Sequence, residues 1–512
     1  MLPKKASREE VLEKLEEAGG KRPGVATTVQ RQTLVPEADI YGVATFYSLL
    51  AEPGAGIRVC QGLTCNLDDS AALMEELKAA GKEAVFASCL GRCDQAPAFW
   101  DPDDESQINR AHCSPSSPDL AIDLEAPDSP DFEVLHKAAE KGPAWVLGEL
   151  EASGLTGRGG AGFPAHIKWQ AIRNQAETDR YVVLNADEGE PGTFKDREVI
   201  LRRPHLVIEG LAIAAQCLEA KNIYAYVRGE FGRVRTALED TLQAARSGGH
   251  IDEAVTWHFV DGHGAYICGE ETALLEALEG KRGMPRMKPP FPVEKGFRDK
   301  PTLIQNVESI ACVPGILRRG GDWFRDLGLT EPGTKLYCLS GHVEKPGVYE
   351  APMGTTMRQL LAMAGGVSGT LKAFSPGGAS SGFLPASSID IPMDFASLRT
   401  AGSMLGSAGV VVLNDTVDMV HAALTQAVFF EDESCGKCSP CRIGTQILRQ
   451  ALERYDSGVP DALSYVQDVA WGMGEASICG LGQAAALPLT SAMKYFPSEF
   501  GLVSETGGST AS

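Results

Sequence analysis

No apolar run in this sequence of 512 residues approaches the roughly 18 to 20 needed to cross a bilayer, so no membrane-spanning segment is expected. The opening Met1-Leu2-Pro3-Lys4-Lys5 is followed by charged residues rather than by the apolar centre of an export signal, which points to a cytoplasmic protein. Basic residues are outnumbered: 47 Lys and Arg against 68 Asp and Glu give a net charge of −21, which excludes a global basic field and makes nucleic acid an unexpected partner. Disorder is excluded by a composition 43% hydrophobic and 22% charged. Histidines are few, nine in all, and neither a Ser-His-Asp nor a Cys-His pairing is suggested; they read as surface or packing groups.

What is present in excess for a reduced compartment is cysteine. Thirteen, an odd number spread over a long chain, argue against a disulfide framework. Five of them, Cys113, Cys217, Cys268, Cys312 and Cys338, stand singly and read as small buried hydrophobes. The other eight form two groups. Cys435, Cys438 and Cys441 follow one another at C-x2-C-x2-C spacing, and Cys479 lies further on. Three thiolates so crowded can occupy three corners of a [4Fe–4S] cubane with Cys479 at the fourth, whereas four-thiolate zinc sites favour two separated pairs. Cys60-x4-Cys65 and Cys89-x3-Cys93 place two pairs on two loops, a spacing that suits [2Fe–2S] and leaves zinc as the competitor.

At roughly 150 residues per domain the length predicts three or four domains. Residues 1–110 hold a helical start and two strands, Ile57–Cys60 and Glu83–Ala87, each running up to a cysteine. Residues 111–134, within a stretch rich in Asp, Pro and Ser, read as a linker. Residues 135–330 alternate strand-like runs with helical stretches, the pattern of an α/β layer. A Gly- and Pro-punctuated region of short strands occupies 331–415, and 416–512 is mostly helical.

Gly157-Arg158-Gly159-Gly160-Ala161-Gly162-Phe163-Pro164 contains G-x-G-x-x-G, but a helical stretch precedes it and a strand follows, so it is not the dinucleotide fingerprint. It is either a flexible turn or a loop whose bare backbone approaches an anion or a flat ring, with Arg158 and Lys168 supplying charge. Asn185-Ala186-Asp187-Glu188-Gly189-Glu190 lies at the carboxyl end of a strand, where α/β sheets place ligands; it is either a solvated loop or a set of acceptors for hydroxyls and ring N–H groups. Gly269-Glu270-Glu271 repeats the arrangement.

These motifs together resemble one family. GRGGAGFP at Gly157 to Pro164, NADEGEPGTFKDR at Asn185 to Arg197, AYICGEE at Ala265 to Glu271, KPPFP at Lys288 to Pro292, ESCGKCSPCRIGT at Glu433 to Thr445 and SICGLG at Ser477 to Gly482 resemble the NADH-binding flavoprotein subunit of NADH dehydrogenase and its relatives in hydrogenases and formate dehydrogenases. ATFYSLL, VCQGLTC and SCLGRCDQAPA in the first hundred residues resemble the thioredoxin-like [2Fe–2S] protein of the same machinery. The resemblance implies a multidomain α/β protein: a thioredoxin-like [2Fe–2S] domain, an FMN- and NAD(H)-binding α/β domain, a β-grasp-like domain and a helical [4Fe–4S] domain. It implies FMN contacts from Gly157, Arg158, Gly159, Lys168 and Asn185, and from Asp187, Gly189, Tyr266, Gly269 and Asn306. Phe163, Glu190, Glu271 and Phe291 would meet the nicotinamide nucleotide, with the two aromatic rings offering faces for adenine. The sequence departs from the family in two respects: Gln305 stands where it has asparagine, and Ala171 and Ile172 where a second aromatic is expected. The fusion, with SPGGASSGFLPASSIDIPMDF, resembles most the β subunit of formate dehydrogenase, whose catalytic α subunit carries molybdenum or tungsten and further iron–sulfur clusters. The alternatives are the diaphorase subunit of NAD-reducing hydrogenase, the NADH dehydrogenase subunit itself and, from another class, a zinc or redox-sensing protein.

Overall fold

The computed structural model describes residues 7–502 apart from 53, 55, 105–107, 128, 129 and 252; the opening residues read above for an export signal lie outside the described residues. The helical start buries Val11, Leu12 and Leu15 from helix Val11–Glu17. It is followed by a three-stranded sheet in the order β2-β1-β3: β1 (Ile57–Cys60) pairs parallel with β2 (Ala84–Ala87) and antiparallel with β3 (Phe99–Trp100). Helix Ser70–Ala79 connects β1 to β2, its first turn capped by the Asp69 carboxylate, which accepts from Ala72 N–H at 3.0 Å.

The segment 111–134 is more than the linker its composition predicts. Its residues His112–Cys113 form β4, a parallel edge strand beside β10 (Gly347–Pro352) of a distant sheet. The buried Glu350 carboxylate then accepts N–H groups from Ala121 (2.7 Å), Ile122 (3.0 Å) and Asp123 (2.8 Å). A two-residue strand is too short to show periodicity, and its partner lies more than 200 residues away in sequence, so local pattern hides it.

Four parallel strands form the central sheet in the order β7-β6-β5-β8: β7 (Thr256–Asp261), β6 (Asn222–Val227), β5 (Tyr181–Ala186) and β8 (Thr302–Asn306). β5 and β6 are apolar runs buried on both faces, as parallel strands must be when helices cover them. Helices Pro204–Leu218 and Val307–Arg319 cross at Gly210, where a Cβ would stand 2.4 Å from the Ile310 carbonyl. Only glycine permits that approach.

The third unit is a mixed sheet in the order β12-β11-β13-β9-β10-β4, with β9 (Thr334–Gly341), β11 (Leu371–Ser375), β12 (Leu384–Pro385) and β13 (Gly409–Asn414). β9 pairs antiparallel with β10 and parallel with β13. Tyr337, Leu339, Tyr349, Leu360 and Phe374 form its own core. The chain ends in helices, principally Met419–Asp432, Ser439–Asp456 and Val466–Ala476. Among the described residues no helix is long and apolar enough to cross a membrane.

Candidate functional site

Each cysteine group is assembled by element ends. Cys60 closes β1, Cys65 lies in helix Leu63–Leu67, and Cys89 and Cys93 sit on the loop after β2; all four are buried. Their thiols adjoin, Cys60 within hydrogen-bond reach of Cys65 and Cys89, and Cys93 of Cys89. Contact with Cys60 and burial push the Cys89 thiol up to about 12. Bound cations reverse that preference, because four thiolates stripped of water favour the charge of iron. Gly91 N–H reaches Cys89 Sγ at 3.4 Å, and the Gly192 N–H, from the loop after β5, points at Cys93. Four thiolates with amide donors suit [2Fe–2S].

At the second group, Cys438 and Cys479 stand at the N-caps of helices Ser439–Asp456 and Gly480–Ala484, with Cys441 in the first turn of the former. The Leu481 and Gly482 N–H groups face Cys479, the Lys437 N–H faces Cys435, and Ser434 Oγ lies 3.3 Å from Cys441 Sγ. A Cβ on Gly482 would stand 2.8 Å from that of Cys441, so a side chain would press on the ligand loop. Cys435 and Cys438 are partly exposed, whereas Cys441 and Cys479 are buried. This donor set fits a [4Fe–4S] cluster. Among the described residues no group of three or more His, Cys, Asp or Glu side chains is gathered closely enough to hold a single metal ion.

The glycine loop closes on itself: Gly157 N–H donates to the Phe163 carbonyl at 2.8 Å and Thr156 bridges Pro164. It lies against Asn306, whose Cβ would be 3.0 Å from a Cβ placed on Gly159. Asn306 ends β8, caps helix Val307–Arg319 by accepting from Glu308 and Ser309 N–H, and donates to Asp196 at 2.6 Å. Asn185 donates to the Gly269 carbonyl at 2.8 Å, which draws the ends of β5 and the Tyr266–Gly269 turn together. A Cβ on Gly189 would stand 3.0 Å from the Tyr266 ring. Asp187 leaves Oδ2 buried with no protein partner, and burial raises its carboxyl to about 8. An orphaned acceptor or donor beside side-chain-free backbone fits a flat, polar-edged group such as FMN.

Arg158 corrects the expectation that it supplies charge to an anion. Its guanidinium is fully buried, donating to the Pro332 carbonyl at 2.8 Å and lying over the Phe324 ring, and its backbone N–H donates to Ser309 Oγ at 2.8 Å, so the residue ties the loop to helix Val307–Arg319 and to the segment before β9. Glu188 likewise serves structure: its carboxylate accepts from Asp196 N–H at 2.8 Å and Arg197 N–H at 3.1 Å, at the start of helix Lys195–Arg202. Glu190 accepts from the Tyr266 hydroxyl and from Ser380 N–H at 2.8 Å. Burial raises its carboxyl.

A second patch gathers beside the loop. Glu271 bridges Lys168 (3.1 Å) and Lys288 (2.8 Å), and these cations, against the effect of burial, hold its carboxyl below the ordinary value. Phe163 and Phe291 are 45% and 50% exposed there, leaving ring faces free for stacking. The two lysines offset the negative charge of Glu271 at this patch.

Residues that sequence reasoning passed over hold the [2Fe–2S] loop against this site. Arg197 donates to the Gly91 carbonyl at 3.0 Å and to both Asp94 oxygens at 2.9 Å. Glu433 accepts from Ser88 Oγ–H and, at 2.9 Å, from Tyr266 N–H, and so links the residue before Cys89, the Tyr266–Gly269 turn and the segment that leads to Cys435. Arg228 donates to the carbonyls of Glu188 (2.6 Å) and Cys89. A cavity of about 460 Å³ lies at this junction, lined by Asp187, Tyr266, Ser88, Arg228 and Glu433 among others. The signal that could have found Arg228 was its position just past β6, the same strand-end rule that singled out Asn185.

Known proteins share these units. Residues 10–109 match the family model for the thioredoxin-like [2Fe-2S] ferredoxin, 150–315 the Nuo51 FMN-binding domain, 336–384 the SLBB domain and 421–502 the NADH-ubiquinone oxidoreductase-F iron-sulfur binding region. These matches decide between zinc and clusters in favour of clusters, and they carry FMN and NADH binding as family properties. The chain is 45% identical to the second F subunit of NADH-quinone oxidoreductase from Rhizobium meliloti (strain 1021) over 383 residues, 72% of this chain and 91% of the relative. It is 40% identical to the NADH-quinone oxidoreductase F subunit of Streptomyces coelicolor over 439 residues, 83% of this chain and 93% of the relative. A solved chain of an NAD+-reducing [NiFe]-hydrogenase in the H2-reduced state superposes with a TM-score of 0.88 at 30% identity, covering 98% of this chain and 95% of that one.

Proposed function

We propose, from the premise that this chain belongs to the family of NADH-quinone oxidoreductase F subunits, that it is the diaphorase subunit of a cytoplasmic NAD-dependent formate dehydrogenase. The coarser part of that statement is the family's own: an NADH-dependent flavin and iron–sulfur electron-transfer subunit. The proposed partner is a catalytic subunit carrying molybdenum or tungsten and further iron–sulfur clusters. The observation that carries a dehydrogenase diaphorase is the [2Fe–2S] unit built into the same chain and tied by buried bonds to the flavin loop. The run from Ser375 to Phe395 and the stretch from Phe429 to Thr445 favour formate chemistry in the partner. A second reading, hydrogen as the partner's substrate, is favoured by the end-to-end likeness to the hydrogenase chain.

FMN, when bound, would supply two-electron hydride exchange with NAD(H) and single-electron exchange with the clusters. The chain's residues orient and enclose rather than act as acid or base. In this reading Phe163 and Phe291 stack on the nucleotide, and Lys168, Glu271 and Lys288 fix its polar groups. The backbone of Gly157, Arg158, Gly159, Gly189 and Gly269 admits the flavin, and Asn185, Asp187, Tyr266 and Asn306 meet its polar edge. The test is isolation of the native complex under anaerobic conditions, identification of the subunit that co-purifies, and measurement of NAD+ reduction with formate and with hydrogen. Formate-dependent reduction is expected; hydrogen-dependent reduction alone would replace the formate assignment with the second reading.

A further inference from the structure

The [2Fe–2S] loop has a buried charge pair beneath it that neither the flavin nor the nucleotide site requires. Arg228 and Glu230 are 7% and 5% exposed, and the guanidinium meets the carboxylate at 3.1 and 3.2 Å. The guanidinium also bonds away from that pair: Nη2, shared with Glu230, donates to the Cys89 carbonyl, on a cluster ligand, and Nη1 donates to the Glu188 carbonyl, in the loop after β5. Phe231 packs against it at 5.5 Å and fills the space next to Gly91. Burial pushes the Glu230 carboxyl up, but Arg228 outweighs burial and keeps it below its ordinary value, so the pair remains charged. Other charged or titratable groups facing it are Arg58, Arg92, Asp187, Glu433 and the Cys89 thiol.

We infer that Arg228 and Glu230 together set the reduction potential of the [2Fe–2S] centre. Reduction adds one negative charge to the cluster. A cation hydrogen-bonded to a ligand residue's carbonyl favours that added charge, and a carboxylate behind the cation opposes it, both acting through a medium of low dielectric constant. The loop after β5 shares the same guanidinium, so the cluster's potential depends on the flavin-binding unit as well as on its own domain. The inference rests on the cluster assignment and on no property of the partner subunit. Arg228 and Glu230 are positioning residues that act on the cluster through its surroundings.

The test is a redox titration of the assembled holoprotein followed by electron paramagnetic resonance, in which the two clusters are separated by their relaxation temperatures. Arg228→Gln should lower the reduced-to-oxidised ratio of the [2Fe–2S] centre at least tenfold at a fixed poise, which for one electron is 59 mV. Glu230→Gln should raise it, and Arg228→Lys should retain most of the wild-type ratio. The double variant should return towards wild type, a reversal that damage to folding would not produce. The [4Fe–4S] potential should stay put in all four. If Arg228→Gln does not assemble, Glu230→Gln decides alone: a rise sustains the inference and no rise overturns it. Shifts of the same sign in the two single variants, or changes below threefold with full iron content, would also overturn it. A [2Fe–2S] signal absent from the wild-type protein would instead strike the cluster assignment itself, which separates the two failures.

Discussion

Replacing Arg197 by methionine removes a guanidinium that is fully buried between the [2Fe–2S] loop and the central unit. Asp94, with a side chain only 3% exposed, then keeps its carboxylate without the two 2.9 Å bonds that neutralise it, and the Gly91 carbonyl loses its donor at 3.0 Å. Glu198 is protected from the same fate because Arg202 still donates to it at 2.9 Å. Removing one partner of a buried ion pair costs about 3–5 kcal/mol. Since each 1.4 kcal/mol is a factor of ten, the equilibrium for release of the loop should move by about two to nearly four powers of ten. Hydrogen exchange followed by mass spectrometry measures that release directly. Peptides spanning 84–100 and 181–200 should lose protection by this factor, while peptides from the C-terminal helices keep theirs. Adding Asp94→Asn should recover much of the loss, because the second change removes the stranded charge. A loss of protection below tenfold, or a loss spread evenly over the chain, would refute the reasoning that this pair docks the loop.

Cys438→Ala should lower iron by about four per chain, the content of one cubane, while NADH oxidation by a flavin-reactive dye partly survives; unchanged iron would remove Cys438 from the ligand set. Gly159→Val puts a branched side chain where the Cβ alone already stands 3.0 Å from Asn306, so flavin released by acid should fall sharply per chain with iron retained, and equal flavin would refute the loop's role. Asp187→Asn should change the pH dependence of flavin-free protein. Burial holds the folded carboxyl near 8 against about 4 unfolded, so wild-type stability declines as pH rises between those values. The variant's advantage in melting temperature should therefore grow from pH 5 to pH 8, and a constant difference would show that Asp187 does not titrate in that range.

The parts of this fold that local pattern expresses were readable: β5 and β6 as apolar runs, the cysteine groups at element ends, and the closed glycine loop before β5. The parts built from long-range pairing were not. Glu350 meets Ala121 across 229 residues of sequence, and β4 has only two residues, so the segment looked like a tether. Arg158 shows a different limit. Its place in the motif was legible, but the direction of its guanidinium depends on Phe324 and Pro332, which only the folded chain brings near. Glu271 was recognised as a site residue, whereas its two lysine partners, which change its electrostatic meaning, come from separate motifs. Arg197 and Glu433 stood inside recognised motifs and Arg228 just past a strand, yet none was singled out, because an interface between units leaves no periodic signature.

The strand β4 and the Glu350 clamp join the first unit to the rest by more than a covalent thread. Where cluster and flavin belong to separate polypeptides, their meeting is an encounter whose frequency falls on dilution. Here the connecting segment is itself stitched into a sheet, so the local concentration of one redox unit about the other is fixed by the chain. Electron exchange between them is a first-order event, its rate the same in a crowded cell and in a dilute cuvette.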